Sequence, residues 1–164
     1  MTRIAHTFGP SVSPRCRVLI LGTMPGVASL AAGAFYAHPR NAFWDIMGRL
    51  VGAGRELPYA RRLARLRAHG MALWDVVAEC ERVGSLDSAI RAERANDLVG
   101  LLLRYPRLHT IAFNGQPAAR LFQRHIPACP RTIRRVVFPS TSPAHAALDV
   151  EAKVRAWSRL LSFL

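Results

Sequence analysis

A chain of 164 residues with 51% hydrophobic and 20% charged residues has the length and composition of one globular domain. No apolar run approaches the about 20 residues that span a bilayer, and the first residues hold no apolar signal segment, so the sequence excludes a transmembrane protein and favours a cytoplasmic one. The formal net charge of +13 favours binding to a polyanion such as nucleic acid, although a solvated basic surface from arginine-rich codons remains an alternative.

Two kinds of apolar pattern alternate along the chain and predict its elements. Residues 1–15 contain Pro10 and Pro14 and little periodicity, so we expect an irregular arm within a single domain that spans 1–164. Short apolar runs that stop at turn-forming residues predict four buried strands, at 17–21, 71–76, 108–113 and 135–138. Apolar residues at helical spacing predict five helices, at 41–51, 58–69, 96–104, 117–124 and 147–163. Asn96 is the predicted N-cap of the third helix, and 78–95 is predicted to be a polar connection.

This order of elements predicts an α/β fold with three layers, α/β/α, around a central, mostly parallel four-stranded sheet. Three of the four strands run directly into a polar motif, beginning at Gly22, Asn114 and Pro139. The carboxyl ends of parallel strands share one edge of the sheet, where ligands bind between diverging loops. We therefore expect the three motifs to form one site.

The loop after the first strand is the richest in groups that bind ligands. It begins with the tight turn Gly22-Thr23-Met24-Pro25-Gly26. Four residues suited to hydrogen bonding or stacking follow before the next predicted helix: Tyr36, His38, Arg40 and Asn41. This loop is a candidate pocket wall.

The three cysteines, Cys16, Cys80 and Cys129, lie far apart in the sequence and form no CxxC pair. This spacing indicates neither a zinc site nor a disulfide framework. We predict that the protein has no metal and no cofactor.

Three stretches together resemble the uracil-DNA glycosylase superfamily. They are Gly22-Thr23-Met24-Pro25-Gly26 with Ser29-Leu30 and FYAHPRNAFW at 35–44, then Ala112-Phe113-Asn114-Gly115, and finally Phe138-Pro139-Ser140-Thr141-Ser142-Pro143-Ala144. The likeness is closest to the DNA-deoxyinosine (hypoxanthine-DNA) glycosylase branch, to which Trp74-Asp75-Val76 and residues 84–88 are also similar. The resemblance implies a uracil-DNA glycosylase-like fold.

It also implies a function in base excision repair. A monofunctional DNA glycosylase is a hydrolase that flips a deaminated base, here uracil first and hypoxanthine second, out of DNA and cleaves its N-glycosidic bond. Such an enzyme needs hydrogen-bond donors around the leaving base and a water at the anomeric carbon, but no cofactor. Its partner is DNA that contains uracil or another deaminated base, and we expect a monomer that binds no membrane.

The resemblance implies roles for individual residues. Tyr36 would stack under the flipped base, unless it is a core aromatic and Phe35 faces the pocket instead. Asn41 would position the water or donate to the sugar–base junction, although an asparagine before a helix is also an ordinary N-cap. Asn114 would read the edge of the base, unless it only forms an Asn-Gly turn. The turn residues Gly22, Thr23, Met24 and Pro25 would complete the substrate pocket.

Two positions depart from the pattern of the superfamily. Met24 stands where an Asp or Asn usually activates water, and Phe138 where many members have a histidine. Either other residues organise the pocket, or the protein is a non-catalytic one that binds lesions or abasic sites. His38 and Arg94 are candidate catalytic substitutes, although an exposed Arg94 paired with a glutamate is the simpler reading.

The last motif is expected to contact the DNA strand beside the flipped nucleotide. Its hydroxyl and backbone N–H groups suit phosphate binding, although a proline-bounded turn is the alternative. The predicted DNA-binding residues are Arg40, Ser140, Thr141, Ser142, Pro143 and His145.

Overall fold

The computed structural model describes residues 3–5 and 8–164 of the chain. The strands of these residues are β1 (Arg3–Ala5), β2 (Val18–Gly22), β3 (Met71–Asp75), β4 (Val77–Glu81), β5 (Arg91–Ala95), β6 (Thr110–Asn114) and β7 (Arg134–Phe138). The helices are α1 (Val27–Ala32), α2 (Phe43–Val51), α3 (Tyr59–Ala68), α4 (Leu98–Arg104), α5 (Gln116–His125) and α6 (Val150–Trp157), with 3-10 turns at Asp87–Ala89 and Ser158–Phe163.

The predicted central sheet is present. Four strands pair in the order β3-β2-β6-β7, and every pairing is parallel. In the centre of this sheet, Leu21 lies opposite Trp74 on one side and Phe113 on the other. The four strands begin and end within two residues of their predicted bounds, because each is an apolar run that a turn terminates.

Helices cover both faces of this sheet. Alternate residues of β2 enter two separate cores: Val18 and Ile20 pack with α2, α3 and α6, whereas Leu19 and Leu21 pack with α4 and α5. A strand buried on both faces must be apolar at every position, and all five residues of β2 are buried. The predicted three-layer α/β/α architecture is therefore confirmed.

A second, antiparallel sheet was not predicted. β4 pairs with β1 on one side and with β5 on the other, so the expected polar connection at 78–95 is instead a hairpin. The expectation of an irregular arm is also wrong for residues 3–5, which form β1; residues 1–2 and 6–7 lie outside the described residues. Three of the five residues of β5 are charged, so its sequence lacks the apolar pattern that predicts a strand. Pairing with β4, rather than its own sequence pattern, stabilises β5 as a strand.

Two predicted helix ends differ in the structure. Asp97, not Asn96, caps α4 by accepting a hydrogen bond from the backbone N–H of Gly100, while the Asn96 side chain donates to the carbonyl of Asp75. The helix expected at 147–163 begins only after Asp149, which caps α6, and its last part is a 3-10 turn. In the described part of the chain, no helix has the length and apolarity needed to cross a membrane.

Candidate functional site

A cavity of about 650 Å³ opens at the carboxyl edge of the parallel sheet. This volume lies within the roughly 300–1,000 Å³ that small-ligand pockets have. The loops that follow β2, β6 and β7 line it, as does the loop between β4 and β5. The predicted site residues in its lining are Gly22, Thr23, Met24, Pro25, Tyr36, His38, Asn41, Asn114, Ser140, Thr141, Ser142, Pro143 and His145. The sequence motifs therefore meet in one place, as their position after parallel strands predicts.

Gly22 ends β2 at the crowded floor of this cavity. A Cβ atom here would lie 2.5 Å from Oδ1 of Asp75 and 3.1 Å from Oη of Tyr36. Only glycine therefore fits between the Asp75 carboxyl group at the end of β3 and the Tyr36 phenol.

Tyr36 is held in a defined orientation beside Asp75. Its backbone has a positive φ of 55°, and its ring stacks on Phe43 with centroids 4.0 Å apart. Burial and then the charge of Asp75 raise the pKa of the Tyr36 phenol far above its ordinary value, so the group stays neutral. Its Oη atom makes no well-formed hydrogen bond, although the Asn114 side chain is near enough to oppose part of the shift.

Phe35 and Tyr36 take different positions, as the sequence analysis required. Phe35 is 5% exposed and packs into the core, where its carbonyl accepts a hydrogen bond from the Trp44 indole. Both residues contribute to the cavity lining, but Tyr36 is the more exposed of the two. With one face of its ring covered by Phe43, Tyr36 has the support that a stacking platform needs.

Asn41 combines the two readings left open by the sequence. Its Oδ1 atom accepts a hydrogen bond from the backbone N–H of Phe43, at 3.0 Å, and so caps the first turn of α2. This contact fixes the orientation of the side chain and leaves the Nδ2 group without a partner among the described residues. Asn41 therefore presents a fixed amide donor in the cavity lining.

His38 also has a defined hydrogen-bonding state. Its Nδ1 atom accepts a hydrogen bond of 3.0 Å from the backbone N–H of Arg40, so a neutral ring carries its hydrogen on Nε2. His38 can thus act as a second donor in the cavity lining. Arg40 itself is exposed and lies outside the lining.

Asn114 is buried at the end of β6 and is occupied by one neighbour. Its Oδ1 accepts from the backbone N–H of Thr141, and its Nδ2 donates to the Thr141 hydroxyl, both at 2.9 Å. Asn114 therefore ties β6 to residues 139–145, which we call the β7 loop.

Further contacts from outside hold the β7 loop. The Lys153 ammonium donates to the carbonyl of His145 at 2.8 Å, and the Trp157 indole donates to that of Pro139 at 2.9 Å. The backbone N–H of Ala42 donates to the carbonyl of Thr141. Burial lowers the pKa of Lys153, which is only 5% exposed. The loop is thus fixed through its main chain.

Met24 and Phe138, the two residues that depart from the superfamily pattern, also have apolar surroundings. Met24 is part of the cavity lining but is only 6% exposed, because it packs into the core. Phe138 stacks on Trp157 with ring centroids 4.6 Å apart. Neither position brings a water-activating or proton-donating group to the cavity.

Arg94 requires a correction. It lies on β5, with its side chain 74% exposed and paired to Glu79 at 3.1 Å, and it is absent from the cavity lining. The simpler reading from the sequence was therefore the better one. Its strand position follows from the hairpin that the sequence analysis did not predict.

Two carboxyl groups of the cavity were not selected from the sequence. Asp75 ends β3 and is 4% exposed, and Asp87 lies in the loop between β4 and β5. The Thr23 hydroxyl donates to Oδ1 of Asp87 at 2.5 Å. Burial raises the pKa of Asp87 above its ordinary value, although Thr23 and the charge of Arg82 favour its ionised form. The family likeness at 74–76 and 84–88 was the available signal.

No group of three or more His, Cys, Asp or Glu residues that could hold a metal ion occurs among residues 3–5 and 8–164. The residues of the cavity offer amide, imidazole, hydroxyl and carboxyl groups. This set can bind a polar heterocycle by its edges and stack it on a tyrosine.

Comparison with known proteins agrees with the family resemblance of the sequence motifs. The chain matches the model of the uracil DNA glycosylase superfamily over residues 10–161. Two curated relatives, each named hypoxanthine DNA glycosylase, are both 34% identical to it. The one from Methanosarcina acetivorans aligns over 116 residues, 70% of this chain and 73% of the relative. The one from Methanosarcina barkeri aligns over 110 residues, 66% of this chain and 70% of the relative.

A solved structure extends the similarity over almost the whole chain. It is a solution NMR structure of a protein from Methanosarcina acetivorans that is described as a candidate uracil DNA glycosylase. The two structures align with a TM-score of 0.77 at 29% sequence identity, over 98% of this chain and 99% of the other. The shared fold includes the edge of the sheet where the cavity lies.

Proposed function

Because this chain belongs to the uracil DNA glycosylase superfamily and is a DNA glycosylase, we propose that it flips deaminated bases out of DNA and excises them, hypoxanthine before uracil. The observation that carries this proposal is the cavity in which Tyr36, backed by Phe43, and the amide of Asn41 meet at the carboxyl edge of the sheet. The sequence analysis put uracil first; the names of the two curated relatives support our proposal of hypoxanthine as the preferred base.

The energetics of flipping fit a cavity with a rigid aromatic floor. Removing a base from the stack costs a few kcal/mol, and least at a mispair or damaged base. Stacking of the base on an aromatic ring contributes about 1–3 kcal/mol. Tyr36 supplies that surface at little entropic cost, because stacking on Phe43 already restricts its ring.

The chemical step is a hydrolysis. The oxygen of a water bonds to the anomeric carbon as the N-glycosidic bond breaks, and this water releases a proton to solvent. The base leaves with the bonding electrons and then takes a proton from solvent. The Nδ2 group of Asn41 holds the water or donates to the sugar–base junction as charge develops there. Nε2–H of His38 is a second donor for the negative charge of the leaving base. The step uses no cofactor.

The surface outside the cavity supports binding of the DNA strand. The net charge of +13 favours phosphate contacts that release counterions. The β7 loop brings the hydroxyls of its serines to the cavity, whereas the backbone N–H groups of Thr141, Ser142, Ala144 and His145 donate within the protein. The exposed Arg40 lies close to His38 in the sequence. We propose that the protein acts on DNA as a monomer through this face, as a single domain.

A panel of base-release reactions tests this proposal. Single- and double-stranded oligonucleotides carry one hypoxanthine, uracil, xanthine or thymine opposite guanine, and hot alkali reveals each abasic site. We expect cleavage at hypoxanthine, with slower cleavage at uracil. Intact strands for both bases at stoichiometric protein contradict the proposal. Tight retention of lesion DNA without cleavage selects the non-catalytic alternative, which is motivated by the apolar Met24 and Phe138.

A further inference from the structure

The residue expected to read the base is already engaged elsewhere. Both polar atoms of the Asn114 side chain bond to Thr141, and the same side chain lies beside the Tyr36 hydroxyl. Its contacts give it a structural task, which is to hold the β7 loop. The Oδ1 atom, which is the acceptor that a ring N–H would need, is engaged by Thr141, so we examined the cavity for another acceptor.

The loop between β4 and β5, residues 82–90, supplies such a group and is fixed against the start of the loop that follows β2. We call it the hairpin loop. Three of its side chains make the contact: Arg82 donates to the carbonyl of Pro25 at 2.5 Å, Ser85 accepts from the backbone N–H of Val27 at 2.8 Å, and Asp87 accepts from the hydroxyl of Thr23. The hairpin loop therefore has a defined position beside the carboxyl end of β2.

Asp87 keeps an unused acceptor at this position. Thr23 bonds only to Oδ1, and no described residue donates a hydrogen bond to Oδ2. Asp87 lines the cavity and is near enough to Tyr36 for its charge to raise the pKa of that phenol. An acceptor of fixed orientation thus lies beside the surface on which the base would stack.

Deamination changes the hydrogen bonding of a base at one ring nitrogen. Adenine N1 and cytosine N3 are acceptors, whereas hypoxanthine N1 and uracil N3 carry a hydrogen and are donors. A carboxylate oxygen accepts from the deaminated form and repels the lone pair of the parent. Such a site discriminates strongly between bases. When the wrong base binds, the acceptor of the site either lacks a hydrogen-bond partner or faces a lone pair that repels it.

We propose that Asp87 is the specificity-determining residue of this enzyme, and that its carboxylate accepts the hydrogen of the ring N–H that deamination creates. The assignment rests on the proposed function of the cavity. Thr23 donates a hydrogen bond that orients this carboxyl group, and Thr23 and the charge of Arg82 favour its ionised form against the burial that raises its pKa. Guanine also carries an N1–H, so its rejection depends on its 2-amino group rather than on Asp87.

The test compares two bases that differ at this one atom. Single-turnover excision is measured on duplexes with hypoxanthine or 1-methylhypoxanthine at the same position. The wild type should cleave the methylated base about 10- to 100-fold more slowly, the cost of losing a hydrogen bond to a charged group. In Asp87→Ala the hypoxanthine rate should fall by a similar factor, and the ratio of the two rates should approach one. A ratio that stays at the wild-type value contradicts the proposal.

A second variant keeps the test decisive if Asp87→Ala does not fold. Asp87→Asn retains an acceptor oxygen and adds an N–H₂ donor suited to adenine N1, so adenine release should rise relative to hypoxanthine release. An unchanged ratio contradicts the proposal. Asp97→Asn is the matched control, because it changes the same charge at the N-cap of α4 and keeps a good capping residue. A wild type that releases neither hypoxanthine nor uracil contradicts the proposed function instead.

Discussion

The hairpin loop and the β7 loop both line the cavity, yet they are held in opposite ways. Core side chains from outside the β7 loop, Asn114, Lys153 and Trp157, grip its main chain. The hairpin loop instead uses its own side chains, among them Arg82 and Asp87, to grip the loop after β2. The contacts of the β7 loop fix the course of its main chain. Those of the hairpin loop place a carboxyl group, that of Asp87, in the cavity lining. We infer that the β7 loop positions the DNA and that the hairpin loop recognises the base.

Breaking the contact that holds the β7 loop should have the larger effect. Asn114→Ala leaves the buried backbone N–H of Thr141 without its acceptor, which should lower the free energy of unfolding by about 1–3 kcal/mol. Excision of hypoxanthine and uracil should fall together, because the loop serves both. Thermal unfolding and single-turnover rates measure the two effects, with the exposed Gln123→Ala on α5 as the control. A change in the ratio of the two bases would assign Asn114 a reading role after all.

A subtler change in the hairpin loop should move the pH profile instead. Thr23→Val removes the hydroxyl that stabilises the ionised form of Asp87, so the pKa of this carboxyl group should rise further. Arg82 continues to favour the charged form, while burial and Asp75 continue to oppose it. The acid limb of hypoxanthine excision should therefore shift to higher pH. An acid limb at the wild-type position would separate Asp87 from the reaction.

The central sheet could be predicted from the sequence because its physical causes are local. Each parallel strand is a buried apolar run that a turn ends, so β2, β3, β6 and β7 are visible without any tertiary information. The small sheet could not be predicted in the same way. β5 is polar and is a strand only because β4 pairs with it, and β4 in turn pairs with β1 from the start of the chain.

The residues of the site, too, could be predicted only where they follow strands that the sequence predicts. Tyr36, Asn41 and Asn114 follow predicted strands, so their meeting at one edge follows from the topology. Arg94 and Asp87 lie on the unpredicted hairpin, and the sequence analysis selected the one that the structure places outside the cavity. That Asn114 is occupied by Thr141 also depends on a contact between distant segments, which no local pattern reveals.

The most direct test of the central claim, that this cavity is where the N-glycosidic bond breaks, is the single-turnover rate of Asn41→Ala on a hypoxanthine duplex, measured beside its affinity for that duplex. Loss of one preorganised donor should slow excision by about 100- to 1,000-fold. Affinity should change only a few-fold, since the phosphate contacts and Tyr36 remain. Excision at the wild-type rate in a folded Asn41→Ala protein would contradict the account.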